Sequence, residues 1–354
     1  MTDSAAPGDT PLRVVTIGAG YFSHLHVEAW RRDARVQFAG LCDTDTAKAE
    51  ALLKAIGVPD GEVPVFSDAE QMLAALKPDI VDIVTPPPAH AGLIELATAH
   101  APTVICQKPF CGDLATARQV AKTIAASPAT VIVHENFRFQ PWYRVIREQL
   151  DAGALGDIYQ ISFRLRPGDG QGPDAYLSRQ PYFQTMPRLL IHETAVHWID
   201  TFRYLLGEPD SLLADLRRLN PAVTGEDAGM FVFRYADGRR AMFDGNRLAD
   251  HAADDPRLTM GECLVEGSKA TIELDGFGRL WRREKGESQR QPIPTSYRTD
   301  TFGGDCVYAL QRHVVDGVLH GTALENTVSA YLRNMEIEET VYAAAEAGQV
   351  VALA

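Results

Sequence analysis

Several short stretches of this chain combine residue types and spacings that chemistry can use. Gly18-Ala19-Gly20-Tyr21-Phe22-Ser23 reads as a G-x-G-x-x-small turn. Its glycines let backbone approach a pyrophosphate, which then rests at the positive end of the helix that follows. Ser23, in the third position, is small enough for close helix–strand packing. Asp43 stands 25 positions after Gly18, close to the ~20-residue spacing of the acid that binds a ribose. A carboxylate there accepts hydrogen bonds from the adenosine ribose hydroxyls and repels a 2′-phosphate. No Arg or Lys immediately follows Asp43 to receive that phosphate, so NAD is favoured over NADP. The alternative for Asp43 is a cap or turn residue, since Thr44-Asp45 beside it could cap the next helix. Gly18, Gly20, Tyr21, Phe22 and Asp43 are thus the first candidates for holding a dinucleotide.

Two more loops leave predicted strands. Thr85-Pro86-Pro87-Pro88-Ala89-His90 follows one, and open parallel sheets bind ligands outside the carboxyl ends of their strands. Thr85, Pro86 and His90 are therefore expected on the nicotinamide side, although a rigid strand-to-helix corner accounts for the same residues. Gln107-Lys108-Pro109 closes the next strand, where a stiffening proline could aim the Lys108 ammonium into the crevice. Alone, Lys108 reads as a surface lysine.

Further along, Glu193, His197, Asp200 and Tyr204 are offset by four, three and four residues, which places them on one helical stripe. An imidazole flanked by carboxylates suits proton transfer; a solvated helix face with a Glu–His pair is the competing reading. His192 and His197 are five apart, not the four a helical zinc motif needs, so no metal is expected. Gly168–Gln184 carries Asp169, Tyr176, Arg179, Tyr182 and Gln184, a mix suited to a polyhydroxylated ligand or to an ordinary surface loop. Asn136 and Arg138 are candidate ligand contacts, with Arg138 equally able to pair with an acid.

The elements that must position these groups change character partway along. Leu12–Ile17, Val36–Leu41, Ile80–Val84, Thr103–Cys106 and Thr130–Val133 read as strands. They alternate with helical stretches at His24–Arg32, Thr46–Ile56, Asp68–Leu76, His90–Ala99 and Leu114–Ala125. Apolar strands separated by helices predict a doubly wound parallel sheet covered on both faces. After His134 the pattern becomes one of short alternating strands joined by tight turns: Asp157–Arg166, Met230–Tyr235, Arg240–Phe243, Glu262–Glu266 and Ala270–Leu274. In the first of these Tyr159, Ile161, Phe163 and Leu165 share a face. A helix at His192–Leu206 stops at Gly207, and Glu325–Ala347 predicts a closing helix. The expectation is an α/β chain: a Rossmann domain at 1–134, with a loose tail over 1–10, and a substrate-binding and association domain of α+β type with a large, mostly antiparallel sheet at 135–354.

Bulk properties narrow the partners. A length of 354 residues suits two domains. A net charge of −13 argues against a nucleic-acid backbone or an anionic membrane as main partner. The first residues lack a secretory leader's basic start and apolar core. Five cysteines without ligand spacing fit reduced thiols in the cytoplasm.

Taken together, these segments resemble the Gfo/Idh/MocA dehydrogenases over nearly the whole length. The resemblance rests on Gly18–His26, Thr85-Pro86 with His90, Gln107-Lys108-Pro109, His134-Glu135-Asn136-Phe137-Arg138-Phe139, Glu193 with His197-Trp198-Ile199-Asp200, and Val265-Glu266-Gly267-Ser268. It implies NAD(P)-linked oxidation of a secondary alcohol on a sugar, inositol or related polyol. Carried over, Lys108 orients the hydroxyl, His197 is the base, and Glu193 and Asp200 are supporting acids. It also implies a homodimer or homotetramer joined through the C-terminal sheet. Two departures stand out: Gln107 replaces the family's usual glutamate, and Glu193 its usual aspartate. Two other outcomes stay open: an enzyme that retains NAD and cleaves or epimerises glycosides through transient oxidation, and an NAD-responsive binding protein without turnover.

Overall fold

The structure, a computed structural model, describes residues 10–353. Apart from Thr10, which is exposed, the expected tail lies outside them. Strand and helix then alternate: β1 (Leu12–Ile17), α1 (Ser23–Arg32), β2 (Val36–Cys42), α2 (Thr46–Ala55), β3 (Val65–Phe66), α3 (Ala69–Leu76), β4 (Ile80–Ile83), α4 (His90–Thr98), β5 (Thr103–Gln107), α5 (Leu114–Ala125) and β6 (Thr130–His134). Every strand pairs in parallel, in the order β3-β2-β1-β4-β5-β6. All residues of β4 and β5 are buried, as strands covered on both faces require. Apart from the two-residue β3, each element is where the sequence predicts it, with ends moved by at most one residue. Local chemistry sets several of those ends. The Asp68 and Asp113 carboxylates, for example, accept the first-turn N–H groups of Gln71 and Thr116 and so start α3 and α5. The order of connection reverses between β1 and β4, the switch point where such sheets take ligands.

The second part of the chain contains α6 (Pro141–Asp151), β7 (Ile158–Leu165), a π-helical turn (Leu190–Ala195) running into α7 (Val196–Leu206), β8 (Ser211–Arg217), β9 (Ala228–Arg234), β10 (Arg240–Asn246), β11 (Gly261–Gly267), β12 (Ala270–Leu274), β13 (Leu280–Glu284) and β14 (Gln291–Ile293). Then come α8 (Cys306–His320), α9 (Val328–Ala347) and β15 (Val351–Ala352). Nine strands form one sheet in the order β14-β13-β12-β11-β7-β10-β9-β8-β15. Only β10 and β7 pair in parallel, so the sheet is mostly antiparallel, as expected. Its inner face presents Phe163, Phe231, Phe233 and Phe243, which pack with Trp198 of α7. Trp198 has no exposed surface and stacks on Phe163 at 4.2 Å. Burying such rings supplies much of the apolar driving force of this layer.

Two expectations are corrected here. Tyr159 does not share the buried face of Ile161, Phe163 and Leu165 but is 56% exposed. The register between β7 and β11 pairs Gln160 with Glu266 and Ile158 with Gly267, passing over Tyr159, and this bulge turns the strand's start outward. Residues 307–333 belong to the first compact unit, which otherwise runs to Glu135; the second unit holds Asn136–Cys306 and resumes at Asn334. The reason is the free edge of β6. Thr327 bridges to Ile132, and the Asn326 carbonyl accepts the Val133 N–H at 2.9 Å. Arg35 adds an ion pair to Asp316 of α8 at 2.6 Å. Val307, Leu310, Val314 and Val315 of α8 are buried at helical spacing, a signal the sequence carries.

Candidate active site

In the first unit, the turn after β1 has the shape that a dinucleotide needs. Gly18 has a φ of +107°, and a Cβ there would stand 2.2 Å from the Val84 carbonyl oxygen, so only glycine fits. Its N–H donates to the Cys42 carbonyl at 2.7 Å. Gly20 is the opposite case: a Cβ there would meet no protein atom within 4 Å. That open side, at the start of a helix whose first turn has no side-chain cap, is room for a phosphate group. Ser23 is fully buried, so the third motif position must be small. Tyr21 is half exposed, and Phe22 meets the His26 ring edge-on.

Asp43 acts as a turn residue and keeps part of its carboxylate accessible. Its Oδ2 accepts the Ala19 N–H at 2.8 Å, pinning the glycine turn, and its Oδ1 accepts the Asp45 N–H at 2.9 Å. The residue keeps part of its surface exposed, which leaves lone pairs for ribose hydroxyls. Glycine turn and acid therefore fit NAD.

Thr85 and Pro86 leave the end of β4 partly accessible. His90 does not join them on an open surface. It is fully buried, with Nε2 2.7 Å from the Thr85 carbonyl oxygen and Nδ1 3.0 Å from that of Phe110. Burial pulls its pKa below the usual histidine range, against those carbonyls. His90 thus braces the loops after β4 and β5 instead of offering a ring nitrogen to a coenzyme. Gln107 is likewise buried, with its amide turned toward His26 and the Lys108 backbone. Lys108 follows at the carboxyl end of β5 and is partly exposed.

In the second unit, His197 is buried and lies flat on Phe137, with ring centroids 3.8 Å apart and planes within 2°. Glu193 precedes it within the π-helical turn, not on a continuous α-helix as predicted. The Val196 N–H reaches back to the Ile191 carbonyl, and the widened turn changes the angular offset between Glu193 and His197. The Glu193 carboxylate accepts the Thr194 hydroxyl at 2.9 Å. Asp200 has no exposed surface: Arg138 grips it with two bonds of 2.7 Å, and the Asn334 amide adds a third at 2.8 Å. Arg138 and Asp200 therefore pair with each other, and the Asp200 carboxylate does not face outward. Asn136 is buried, while Tyr182 is 54% exposed. His192 bonds Glu338 at 2.7 Å. Among the described residues no three His, Cys, Asp or Glu side chains group as metal ligands.

Sequence reasoning passes over Arg247. It is 1% exposed, and its guanidinium donates to Asp169 at 2.7 and 3.2 Å, to the Tyr176 oxygen at 3.0 Å and to the Thr194 hydroxyl at 2.6 Å. Burial opposes its charge, yet Asp169, Tyr176 and Glu193 outweigh it and hold its pKa above the ordinary value. Burial also pushes the Tyr176 phenol up to about 12, so it stays protonated. Through Thr194, Arg247 reaches the Glu193 carboxylate, so one fixed cation organises that acid. A lone arginine after a strand carries no motif, so only the fold reveals it.

Known proteins resemble this chain over both of its parts. The family model described as an oxidoreductase family with an NAD-binding Rossmann fold matches residues 12–135, and the GFO/IDH/MocA C-terminal domain matches 143–273. D-apiose dehydrogenase from Paraburkholderia graminis is 30% identical over 346 residues, 95% of this chain and 88% of that protein. Inositol 2-dehydrogenase from Rhizobium meliloti is 27% identical over 269 residues, 75% of this chain and 76% of that protein. Among solved structures, an oxidoreductase from Agrobacterium radiobacter, in complex with NAD+, L-tartaric acid and magnesium, superposes with a TM-score of 0.84. It is 27% identical, with 97% of this chain and 98% of that one covered. A glycine turn shaped for NAD, an acid at the end of β2 and matches along both parts of the chain place this protein in the Gfo/Idh/MocA family of oxidoreductases.

Proposed function

We propose that this protein is an NAD-dependent dehydrogenase that oxidises a CH–OH group of a sugar, inositol or related polyol. The observation that carries the reading is the carboxyl edge of the first sheet. There β1 supplies the turn with its open Gly20 side, β2 supplies Asp43, and β5 supplies Lys108. NAD, when bound, supplies the hydride acceptor. The Lys108 ammonium holds the reacting hydroxyl and favours its ionised form. His197, kept planar on Phe137, takes the proton. Glu193 supports the charge that His197 then carries, and its own placement depends on Thr194 and Arg247. Tyr182 offers a hydroxyl to a polyhydroxylated substrate, while Arg138 and Asp200 act by positioning. The division of labour follows the two units, with 1–134 for NAD and 135–354 for substrate, modified by the 307–333 segment described above. Association through the nine-stranded sheet and residence in the cytoplasm belong to the same reading; the five thiols, all unbridged, support the latter.

The test offers NAD with a panel of aldoses, D-apiose among them, inositols and polyols, and follows NADH absorbance. At least one member is expected to give steady NADH. Lys108→Ala and His197→Ala are each expected to lower kcat by about 100-fold or more, with NAD affinity retained. Silence across the panel sinks the reading. Light scattering on the same preparation should give a dimer or tetramer mass, and a monomer mass removes association from it.

A further inference from the structure

Inside the first unit lies a buried polar chain that the reaction above does not use. His26 of α1, Asp82 of β4 and Gln107 of β5 are all at most 8% exposed. Asp82 Oδ2 lies 2.8 Å from His26 Nδ1 and also accepts the Trp30 indole N–H at 2.7 Å. Across the ring, His26 Nε2 is 3.1 Å from Gln107 Nε2. Gln107 Oε1 accepts the main-chain N–H of Lys108 at 2.6 Å. His134 packs on the His26 ring at 4.1 Å, and Phe22 meets its edge.

Donor chemistry assigns every proton in this chain. A main-chain N–H can only donate, so the Gln107 atom facing Lys108 is oxygen and the one facing His26 is the amide nitrogen. An amide NH2 also only donates, so His26 Nε2 must present its lone pair. The single ring proton then sits on Nδ1, directed at Asp82. A doubly protonated ring would set N–H against N–H at Gln107, at a depth where water cannot relieve the mismatch.

We propose that Gln107 is a positioning residue, which ties the Lys108 backbone to the buried Asp82–His26 pair and holds His26 as the neutral Nδ1–H tautomer. The inference rests on the reading of Lys108 as the group that holds the reacting hydroxyl. A carboxylate at 107 keeps the acceptor for Lys108 but replaces the donor toward His26 with another acceptor. His26 Nε2 then takes a proton from solvent to restore the contact. One negative charge appears at 107 and one positive charge at 26, so the net charge of the chain of groups does not change. Glutamine beside Lys108, where the resemblance expects glutamate, therefore alters a proton count and leaves the local charge balance intact.

The test uses the full-length protein labelled with 15N at histidine, read by long-range proton–nitrogen correlation. His26 is assigned by the signal lost in His26→Gln and, independently, as the histidine that Gln107→Glu changes. In the wild type, Nδ1 is expected to be protonated and Nε2 bare; in Gln107→Glu both nitrogens carry protons. In turnover, Gln107→Ala is expected to lower kcat about 10-fold with NAD affinity unchanged, and Gln107→Glu to stay within about 3-fold of wild type. Gln107→Met repeats the measurement if alanine prevents folding. A wild-type proton on Nε2 overturns the tautomer assignment, and a singly protonated His26 in Gln107→Glu overturns the predicted proton gain at the ring. A kcat unaffected by removing the amide overturns the positioning role. The histidine spectrum needs no substrate, so it still decides the tautomer if no sugar is turned over.

Discussion

Arg247 bears a charge where almost no water reaches it, and it is tolerable there because each arm of its fork finds an oxygen. Removing one member of such a pair costs more than the pair itself contributes, because the partner is left charged and uncompensated. Arg247→Met should therefore destabilise the second unit by about 3–5 kcal/mol, and Asp169→Leu added to it should recover part of that loss. Arg179, which also reaches Asp169 at 3.1 Å, limits the recovery. Chemical denaturation of the single and double variants measures both. A double variant no more stable than the single one rejects the ion pair as the cause. None of this is legible in the linear sequence, since Arg247 and Asp169 are 78 residues apart and no spacing rule links them.

At the scale of elements, the β1–α1 turn separates two uses of glycine that one motif conceals. Gly18 is required by the protein itself: its positive φ and the Val84 carbonyl leave no space for a side chain. Gly20 is not, since nothing of the protein lies within 4 Å of its added Cβ. Gly18→Ala should cost stability, by about 1–3 kcal/mol of backbone strain and displacement, and weaken NAD binding as the turn shifts. Gly20→Ala should melt like the wild type and still lose NAD affinity, because the methyl occupies the open side of the turn. Thermal melts with and without NAD distinguish them. Equal destabilisation by both substitutions would contradict this division. The motif was readable as a motif, because its turn and helix start are set by neighbouring residues. That the two glycines answer to different partners was not, because Val84 arrives from another strand.

For the molecule as a whole, acid sensitivity follows from carboxylates held below their usual pKa in each unit. In the first unit burial works against the Asp33 charge, but hydrogen bonds from Arg35 at 2.6 and 2.9 Å outweigh it. In the second, burial likewise opposes Asp275, and the Trp281 indole and Arg279 overcome it. A group whose folded pKa is depressed adds stability that is fully present above its unfolded value and is lost as pH falls through the folded one. Melting temperature should thus hold steady from neutrality down to the ordinary carboxylate range and fall below it. Asp33→Asn should lower the neutral-pH melting temperature and flatten that acid limb in calorimetry. An unchanged limb would count against Asp33. The Arg35–Asp33 pair is nearly buried, so added salt should weaken it little.

The sequence by itself determined the parallel sheet of the first unit, the glycine turn after β1, the largely antiparallel character of the second sheet and the family. These follow from apolar periodicity and from contacts among residues close in the chain, which any stretch of the sequence displays. Tertiary structure alone decided that His90 and Gln107 point inward, that Arg138 saturates Asp200, that Glu193 sits on a π-helical turn, and that residues 307–333 close the edge of β6. Each of these depends on which buried donor meets which acceptor once distant strands and helices are packed. That choice is made by hydrogen-bond satisfaction in three dimensions, and no periodicity records it.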